Sequence, residues 1–364
     1  LGNLQLAITM REQGQLQRTI EKCQQLYQSA NEFGISQTRL SGYLLAVWGE
    51  TLAELNDLNG ALDRAKKGFK LTERSGDLQI IGWSFMCLIR ILFSRGDLTD
   101  AEAIIHKMEN RARKSLLPPW IANQMSAWQA RIWLAQDKVD DASQWARQRG
   151  LSTGEQIQTL NEIGFFLLFD YVVLARILIA QGRLEESERM LEHLLKAAKS
   201  GDRNSKVIEI RILQALVFQA KGETDRALSA FEKALALAEP EGFIRIFVDE
   251  GPPMARLLYK ALSRGIAPDY IRQLLAAFPD AEREQTEPKS QVPRSPLIEP
   301  LSEREIEVLH LIAEGLTNQE IAARLYLSLN TVKVHTRNIY GKLDAHNRTQ
   351  AVTKARAVGI LPST

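Results

Sequence analysis

Residues Leu301–Leu343 read LSEREIEVLHLIAEGLTNQEIAARLYLSLNTVKVHTRNIYGKL and contain three helix starts in succession. Ser302-x-x-Glu305 and Thr317-x-x-Glu320 are capping boxes, in which a hydroxyl and a carboxylate each satisfy a free backbone amide. Gly315 predicts a left-handed end to the first helix, and Ser328 predicts the N-cap of the third. Because only a few residues separate the second helix from the third, the stretch predicts a helix-turn-helix.

The third helix of this stretch predicts one buried stripe and one basic face. At about 100° per residue, Val332, Ile339 and Leu343 fall on one side of the helix, with Thr336 at the edge. Between Ser328 and Leu343 the sequence has three cations and no acid, whereas a solvated helix usually carries both signs. The basic face therefore indicates contact with an anion such as nucleic acid, and an ordinary basic surface helix is the alternative.

Three motifs carry a family resemblance: the opening LSxRE, the centre GxTNxEIA and the third-helix pattern SxNTVKxH. Residues 301–364 resemble the DNA-binding domain of LuxR-type (LuxR/FixJ) transcription regulators. In that family the third helix enters the major groove and a fourth helix supports dimerisation on DNA. The resemblance implies base contacts by Lys333, Val334 and Arg337, and phosphate contacts by Asn318, Thr331 and Lys342. Gly341 departs from the family pattern; either the backbone approaches a phosphate there or the position is tolerant.

Composition places the whole chain among soluble globular proteins. Its 364 residues are enough for two or three domains, and its net charge of +2 means that affinity for nucleic acid has to come from a local patch. Cys23 and Cys87 show neither metal-type nor redox-type spacing, which suits a reducing, cytoplasmic compartment. The apolar run Ile163–Ala180 contains Asp170 and Arg176, so it predicts a buried helix and no membrane span.

Residues 1–240 carry an internal repeat. A small or polar residue recurs six times, at spacings of 42, 40, 41, 45 and 40 residues. The six positions are Gly14, Asn56, Gly96, Asp137, Gly182 and Gly222. Such a period predicts stacked helical hairpins that turn at the small residue and bury their faces against their neighbours. The sequence therefore predicts an all-α superhelix of about six helical hairpins, followed by a four-helix DNA-binding domain.

The last unit, KGETDRALSAFEKALALAEP at Lys221–Pro240, resembles the turn and second helix of a tetratricopeptide repeat. That family has a period of 34 residues, and the period of about 41 here implies longer helices or wider turns. The whole pattern resembles the tetratricopeptide-like superhelix of MalT-like regulators. This resemblance implies an upstream ATPase of the STAND class, with ATP and an inducer driving self-association and activation of RNA polymerase. The chain starts at Leu1 within an amphipathic helix, so we expect it to be a piece of a longer protein.

The repeat ends at Pro240, and two segments separate it from the terminal domain. Residues 241–279 are apolar enough to fold, and we expect helices that cap the open end of the repeat. Residues 280–300 are polar and contain four prolines within thirteen residues, which predicts a flexible linker. The predicted domains are thus 1–240, 241–279, 280–300 and 301–364.

Residues that point to a ligand are few, and none points to catalysis. The sequence contains no phosphate-binding loop, no dinucleotide motif and no metal-type histidine spacing, so we expect neither enzymatic activity nor a cofactor in this chain. Trp48, Trp83, Trp128 and Trp133 are candidates for a ligand surface, with core packing as the alternative.

The predicted function is sequence-specific regulation of transcription, as an activator. The terminal domain would bind double-stranded promoter DNA as a homo-oligomer, and the repeat domain would sense a small-molecule inducer or a partner protein, with no membrane partner. Two alternatives remain for the repeat domain: a pure protein-interaction scaffold, or a spacer and oligomerisation arm.

Overall fold

The computed structural model describes residues 2–73, 75–112, 118–152, 165–279, 303–325, 332, 335–336, 339–340, 345, 348–357 and 360–361. Within these residues all regular secondary structure is helical, which confirms the predicted all-α class. The chain divides into two compact units, Leu1–Pro288 and Lys289–Thr364, called here the repeat unit and the terminal unit. The boundary between them falls inside the segment for which the composition predicts a linker.

Twelve helices in the described part of the repeat unit form six helical hairpins. The pairs are α1 (Gly2–Glu12) with α2 (Leu16–Glu32), α3 (Arg39–Glu54) with α4 (Leu58–Thr72), α5 (Leu78–Arg95) with α6 (Leu98–Ala112), α7 (Pro119–Ala135) with α8 (Val139–Gln148), α9 (Phe165–Ala180) with α10 (Leu184–Ser200), and α11 (Asn204–Ala220) with α12 (Thr224–Ala238). The first helices of neighbouring hairpins pack on one another from α3 to α11, and α1 also contacts α11. The first helices therefore form an inner layer around a central space, called the bore below.

The turn within each hairpin lies at the residue predicted from the repeat. Backbone φ is positive at all six: Gly14 (80°), Asn56 (68°), Gly96 (80°), Asp137 (61°), Gly182 (72°) and Gly222 (80°). In the third hairpin, for example, the Gly96 amide donates to Phe93 O at 2.9 Å and the Asp97 amide donates to Leu92 O at 2.9 Å. This pair of bonds satisfies the last carbonyls of the first helix and requires the left-handed conformation, which Gly adopts freely and Asn and Asp tolerate.

Five described turns that follow the second helix of a hairpin also contain a residue with positive φ, a regularity that the sequence analysis missed. The residues are Gly34 (69°), Gly76 (71°), Gly150 (67°), Asp202 (52°) and Gly242 (76°), each following a second helix of a hairpin. Gly34 and Gly76 are 42 residues apart, and Asp202 and Gly242 are 40 residues apart, so part of a second periodic signal was present in the sequence.

The second hairpin packs through close contact of two helix backbones. A Cβ atom on Gly68 of α4 would lie 2.5 Å from the carbonyl oxygen of Gly42 on α3, and a Cβ on Gly42 would lie 2.7 Å from Gly68 O. Both distances are too short for a real side chain, so the two glycines allow α3 and α4 to approach each other directly.

Two apolar helices belong to the protein core. Among the described helices, α5 is long and apolar enough to cross a bilayer, but 67% of it is buried inside the protein. The described part of the apolar run at Ile163–Ala180 is α9, which packs on α7 and α10 and fully buries Leu168, Val172 and Val173. Each helix is the first helix of a hairpin, and the burial predicted for the second of them is confirmed for its described residues.

After α12 the chain turns at Gly242 and passes between the first helices of the hairpins. The Ile244 amide donates to Glu54 O at 2.9 Å, and the Ile246 amide donates to Glu54 Oε1 at 2.6 Å. The short helix α13 (Arg245–Val248) contacts α3, whereas α14 (Pro252–Ser263) packs on α11. The helix α15 (Pro268–Ala276) packs on α13 and α14. The expectation that residues 241–279 cap an open end did not include this passage of α13 into the bore.

The terminal unit has its own apolar core. Its described helices are α16 (Glu303–Ala313), α17 (Asn318–Leu325) and α18 (Arg348–Ala357), with further helical residues at 332, 335–336 and 339–340. The residues buried together are Val308, Leu309, Leu311, Ile312, Ile321, Ala322, Val332, Ile339, Ala345, Ala351, Ala355 and Leu361. The core thus joins all of these helical segments.

Candidate DNA-binding and ligand-binding sites

The start of α17 is held by the predicted capping box. The Thr317 amide and hydroxyl donate to Glu320 Oε2 at 2.7 and 2.8 Å, and the Glu320 amide donates back to Thr317 Oγ1 at 3.4 Å. The two bonds from Thr317 lower the pKa of the Glu320 carboxyl. Gly315, just before this turn, has φ +95°, the left-handed end predicted for α16.

Part of the predicted buried stripe of the third helix lies within the described residues, whereas Leu343 lies outside them. Val332 and Ile339 are fully buried and Thr336 is 9% exposed. The Thr336 hydroxyl donates to the Val332 carbonyl at 2.8 Å, so its polar atom is satisfied within the helix. This pattern fixes which side of the helix faces the core of the unit.

Helix α18 closes the terminal unit from the other side. Ala351 and Ala355 are fully buried, and Arg348 Nη2 donates to Ile312 O at 2.6 Å. The carbonyl of Ile312 lies in the last turn of α16, where backbone oxygens lack partners within the helix. Arg348 therefore ties α18 to the end of α16.

In the repeat unit, buried ion pairs surround two acids that follow α13. Asp249 Oδ2 lies 2.5 Å from Arg90 Nη1. Glu250 Oε1 lies 2.9 Å from Arg131 Nη2 and 2.6 Å from Arg176 Nη2. The Asp249 and Glu250 side chains are only 6% and 5% exposed. The three arginines belong to α5, α7 and α9, so this short segment joins three hairpins.

A second group of charges extends these pairs. Glu209 lies 2.8 Å from both Arg176 Nη2 and Lys206 Nζ. Burial opposes ionisation of Glu209, but Lys206 and Arg176 outweigh it and hold the pKa of that carboxyl below its usual range. Burial, together with the nearby Arg176 cation, lowers the pKa of Arg131 to about 10. Burial and the Arg176 cation thus outweigh the stabilisation that Glu250 and Asp249 give to the charge of Arg131.

A cavity of about 150 Å³ lies against these charges. Its wall combines them with aromatic rings from Trp83, Phe93, Trp128 and Phe169. The Trp128 ring centroid lies 5.7 Å from that of Phe93 and 5.2 Å from that of Phe169. The bore therefore offers an apolar aromatic wall beside buried cations.

Comparison with known proteins identifies both units. A family model of the MalT-like TPR region matches residues 2–264, and that of the luxR family of bacterial regulatory proteins matches residues 299–355. The chain belongs to the MalT-like regulators. Relatives include the HTH-type transcriptional regulator MalT of Yersinia pestis (strain Pestoides F), 28% identical over 363 residues, and that of Serratia proteamaculans (strain 568), 28% identical over 369 residues. Each match covers 94% of this chain but 39% of the relative, so the chain spans well under half the length of these relatives.

In this MalT-like regulator one predicted DNA contact lies within the described residues. Asn318 is the first residue of α17 and is half-buried beside the capping box. The other predicted contacts, Thr331, Lys333, Val334, Arg337 and Lys342, lie outside the described residues, and so does Gly341. The DNA-contact roles of all six side chains remain predictions.

The four candidate tryptophans separate into two pairs. Trp83 and Trp128 line the cavity in the bore. Trp48 is 8% exposed and packs in the core of the first two hairpins, with the Arg64 guanidinium 4.2 Å from its ring centroid. Trp133 is half-buried against the largest core cluster. Only the first pair is placed to touch a ligand in this cavity.

Sequence reasoning missed the charged residues of the bore, although the repeat contains their signal. Glu50, Arg90, Arg131 and Arg176 each lie six positions before the turn of their hairpin. In four consecutive hairpins a charge therefore occupies the same position of a largely apolar first helix. This recurring charge marks the face of the first helices that lines the cavity in the bore.

Proposed function

We propose that this MalT-like regulator binds promoter DNA sequence-specifically in the cytoplasm and regulates transcription in response to a signal received by the repeat unit. The observation that carries DNA binding is the luxR-family match at residues 299–355, on a terminal unit with the capping box and buried stripe of a helix-turn-helix. Lys333, Val334 and Arg337 then read base edges, and Asn318, Thr331 and Lys342 hold phosphates.

We further propose that the terminal units act in pairs. Helix α18 uses Ala351 and Ala355 for its own core, which leaves little apolar area for a partner. One recognition helix makes only a few phosphate contacts, so a single unit binds weakly and with a small salt-dependent contribution. Self-association outside the terminal unit would raise the effective concentration of the second unit at an adjacent half-site.

The finer parts of the proposal rest on the family resemblance. They are activation through RNA polymerase, and control of self-association by ATP bound to a STAND-class domain outside this chain. Both belong to the whole protein, of which this chain covers a part of the length seen in its relatives.

The test of this function is selection of duplexes from a random DNA pool by the intact chain and by a version dimerised through a fused coiled coil. We expect both to enrich one motif and the dimerised version to enrich it as an inverted repeat with higher affinity. Failure of both versions to enrich any motif would overturn DNA recognition. Equal affinity of the two versions for the inverted repeat would overturn the role of pairing.

For the signal, the aromatic and charged cavity favours a small molecule over a peptide, because its volume is only about 150 Å³. A specific observation also favours a partner protein as a second candidate. Phe33 is 77% exposed and Ile35 is 52% exposed in the turn between α2 and α3. A Phe33→Ser, Ile35→Ser double variant should respond normally if the signal is a small molecule in the bore. Loss of the response, with DNA binding intact, would indicate the partner protein.

A further inference from the structure

The Glu250 carboxylate belongs to a different segment from the two arginines that hold it. Asp249 and Glu250 follow α13, whereas Arg131 and Arg176 lie on α7 and α9. The Glu250 carboxylate accepts from both guanidiniums, at 2.9 and 2.6 Å. A carboxylate that sits between two arginines and is attached to a separate segment has the chemistry of an internal ligand.

Arg131 has hydrogen-bond donors at which an incoming anion can bind as it replaces Glu250. Both of its hydrogen bonds come from Nη2, to Asp249 O at 3.0 Å and to Glu250 Oε1 at 2.9 Å. Its Nη1 and Nε have no hydrogen-bond acceptor among the described residues, and its guanidinium carbon lies 5.1 Å from the Phe93 ring centroid. A guanidinium offers its donors in a fork that matches a carboxylate or phosphate.

The cavity beside Arg131 limits what such an anion can carry. Its volume of about 150 Å³ is close to that of an engineered apolar cavity that accepts benzene. Trp83, Trp128 and Phe169 supply faces against which a flat or apolar group can pack. The aromatic wall and the cations together are complementary to a small molecule with one apolar end and one anionic end.

The Glu250 side chain also borders a second cavity into which it can move. It lines both the small cavity and a second, wider one of about 1480 Å³. The wall of the wider cavity includes the cations Arg95, Arg256 and Lys260. A carboxylate displaced from Arg131 and Arg176 can therefore turn towards other cations and solvent.

We infer that the bore binds a small organic anion, a carboxylate or phosphate on an apolar body, which takes the place of the Glu250 carboxylate on Arg131 and Arg176. The inference rests on the proposed sensing function and names its ligand class. Exchange breaks the two Glu250 ion pairs that join the segment after α13 to the fourth and fifth hairpins. Since α14 and α15 follow that segment and lead towards the terminal unit in the chain, the ligand acts on the part of the protein that precedes the DNA-binding domain.

The experiment titrates the intact chain with benzoate, phenyl phosphate and the neutral analogue benzamide. Tryptophan fluorescence follows thermal unfolding, and calorimetry measures affinity. We expect one or both anions to raise the unfolding midpoint and benzamide to have no effect. A response to benzoate alone indicates a carboxylate ligand, and a response to phenyl phosphate alone indicates a phosphate ligand.

Two substitutions should change the affinity for the anion in opposite directions, which a purely structural role of these residues would not predict. Glu250→Gln removes the internal competitor, so it should bind the anion about tenfold more tightly, the change that one charge-assisted hydrogen bond carries. Arg131→Lys keeps the charge but loses the fork, so it should bind more weakly than the unsubstituted chain. The control is Asp170→Asn, which also changes a buried, ion-paired carboxylate to an amide but lies outside the cavity wall, and it should bind with unchanged affinity.

Three results would overturn the inference: no anion binds the unsubstituted chain or Glu250→Gln, benzamide binds as well as the anions, or Arg131→Lys leaves affinity unchanged. If Glu250→Gln does not fold, the comparison of Arg131→Lys with the unsubstituted chain decides. Binding to selected DNA is measured on the same preparations, without ligand. A chain that binds DNA but no anion loses this inference alone, whereas a chain that binds no DNA loses the proposed function.

Discussion

Replacement of Asp170 by Asn should make the repeat unit more stable at neutral pH. Asp170 lies on α9 and its side chain is 1% exposed. Its Oδ2 accepts from Arg149 Nη2 at 2.7 Å, but its Oδ1 is buried without a hydrogen-bond partner among the described residues. Burial outweighs the Arg149 cation and raises the pKa of Asp170 from 3.8 to about 6.

Because its pKa is raised, Asp170 lowers the stability of the folded state when it is ionised. A carboxyl whose pKa is raised by folding favours the folded state when protonated and opposes it when ionised. The stability lost through ionisation of Asp170 is complete well above the folded pKa of about 6, and this loss disappears as the pH falls below the unfolded value of 3.8. It amounts to about 3 kcal/mol near pH 7.5 and about half of that near pH 5. Asn carries no charge at either pH, so it removes the loss.

The assay is urea unfolding followed by tryptophan fluorescence. All six tryptophans lie between Trp48 and Trp145, so the signal reports the repeat unit alone. We expect Asp170→Asn to exceed the unsubstituted chain in free energy of unfolding, by about twice as much near pH 7.5 as near pH 5. A variant that is less stable near pH 7.5, or a difference that does not change with pH, would refute the argument from burial.

Three further predictions concern packing, capping and domain organisation. Gly68→Ala should lower the stability of the repeat unit by about 1–2 kcal/mol in the same fluorescence assay, because the clash with Gly42 O exceeds the gain in helix propensity; an unchanged midpoint would contradict the close approach. Thr317→Ala should cost the terminal unit about 1 kcal/mol and accelerate hydrogen exchange of the Glu320 amide, unless the capping box is absent in solution. Limited proteolysis should cut first within residues 280–300, and a first cut inside residues 1–240 would contradict the predicted boundary.

The repeat was predictable because its signal is local. A left-handed residue ends each first helix, and Gly, Asn and Asp at positions such as Gly96 and Asp137 show that requirement in the sequence. The capping box of α17 and the buried stripe at Val332 and Ile339 follow from spacing within a few residues. Short-range rules of backbone geometry and helical period were sufficient for these features.

The interior of the bore was not predictable in the same way. Arg131 and Glu250 are 119 residues apart, and nothing near either one indicates its partner. A charged residue within a helix normally marks the solvent side. When each hairpin was considered alone, Arg90, Arg131 and Arg176 therefore did not indicate a buried position. The path of α13 depends on long-range contacts, both the burial of Phe247 in the core and the ion pairs of Asp249 and Glu250 just after the helix. Their common position, six residues before the turn, becomes visible only when the hairpin sequences are aligned on their turns.

The tryptophans illustrate the same limit. Trp48 and Trp83 occupy first helices of adjacent hairpins, and residue type alone assigns them similar roles. In the folded protein, Trp48 lies in a core under Arg64, whereas Trp83 reaches the cavity wall. The position relative to the bore decides between packing and ligand contact.

The central claim is that the third helix of the terminal unit reads DNA sequence, and a matched pair of substitutions tests it most directly. Arg337→Ala and Lys342→Ala each remove one cation from the stretch predicted to form this helix, so we expect their general electrostatic effects to be alike. Binding of the dimerised chain to its selected motif and to single-base variants of that motif is measured at constant salt. We predict that Arg337→Ala loses about 1–3 kcal/mol on the motif and discriminates less at defined positions, while Lys342→Ala weakens all duplexes about equally. If Arg337→Ala keeps the affinity and base preference of the unsubstituted chain, the assignment of this helix to base recognition is wrong.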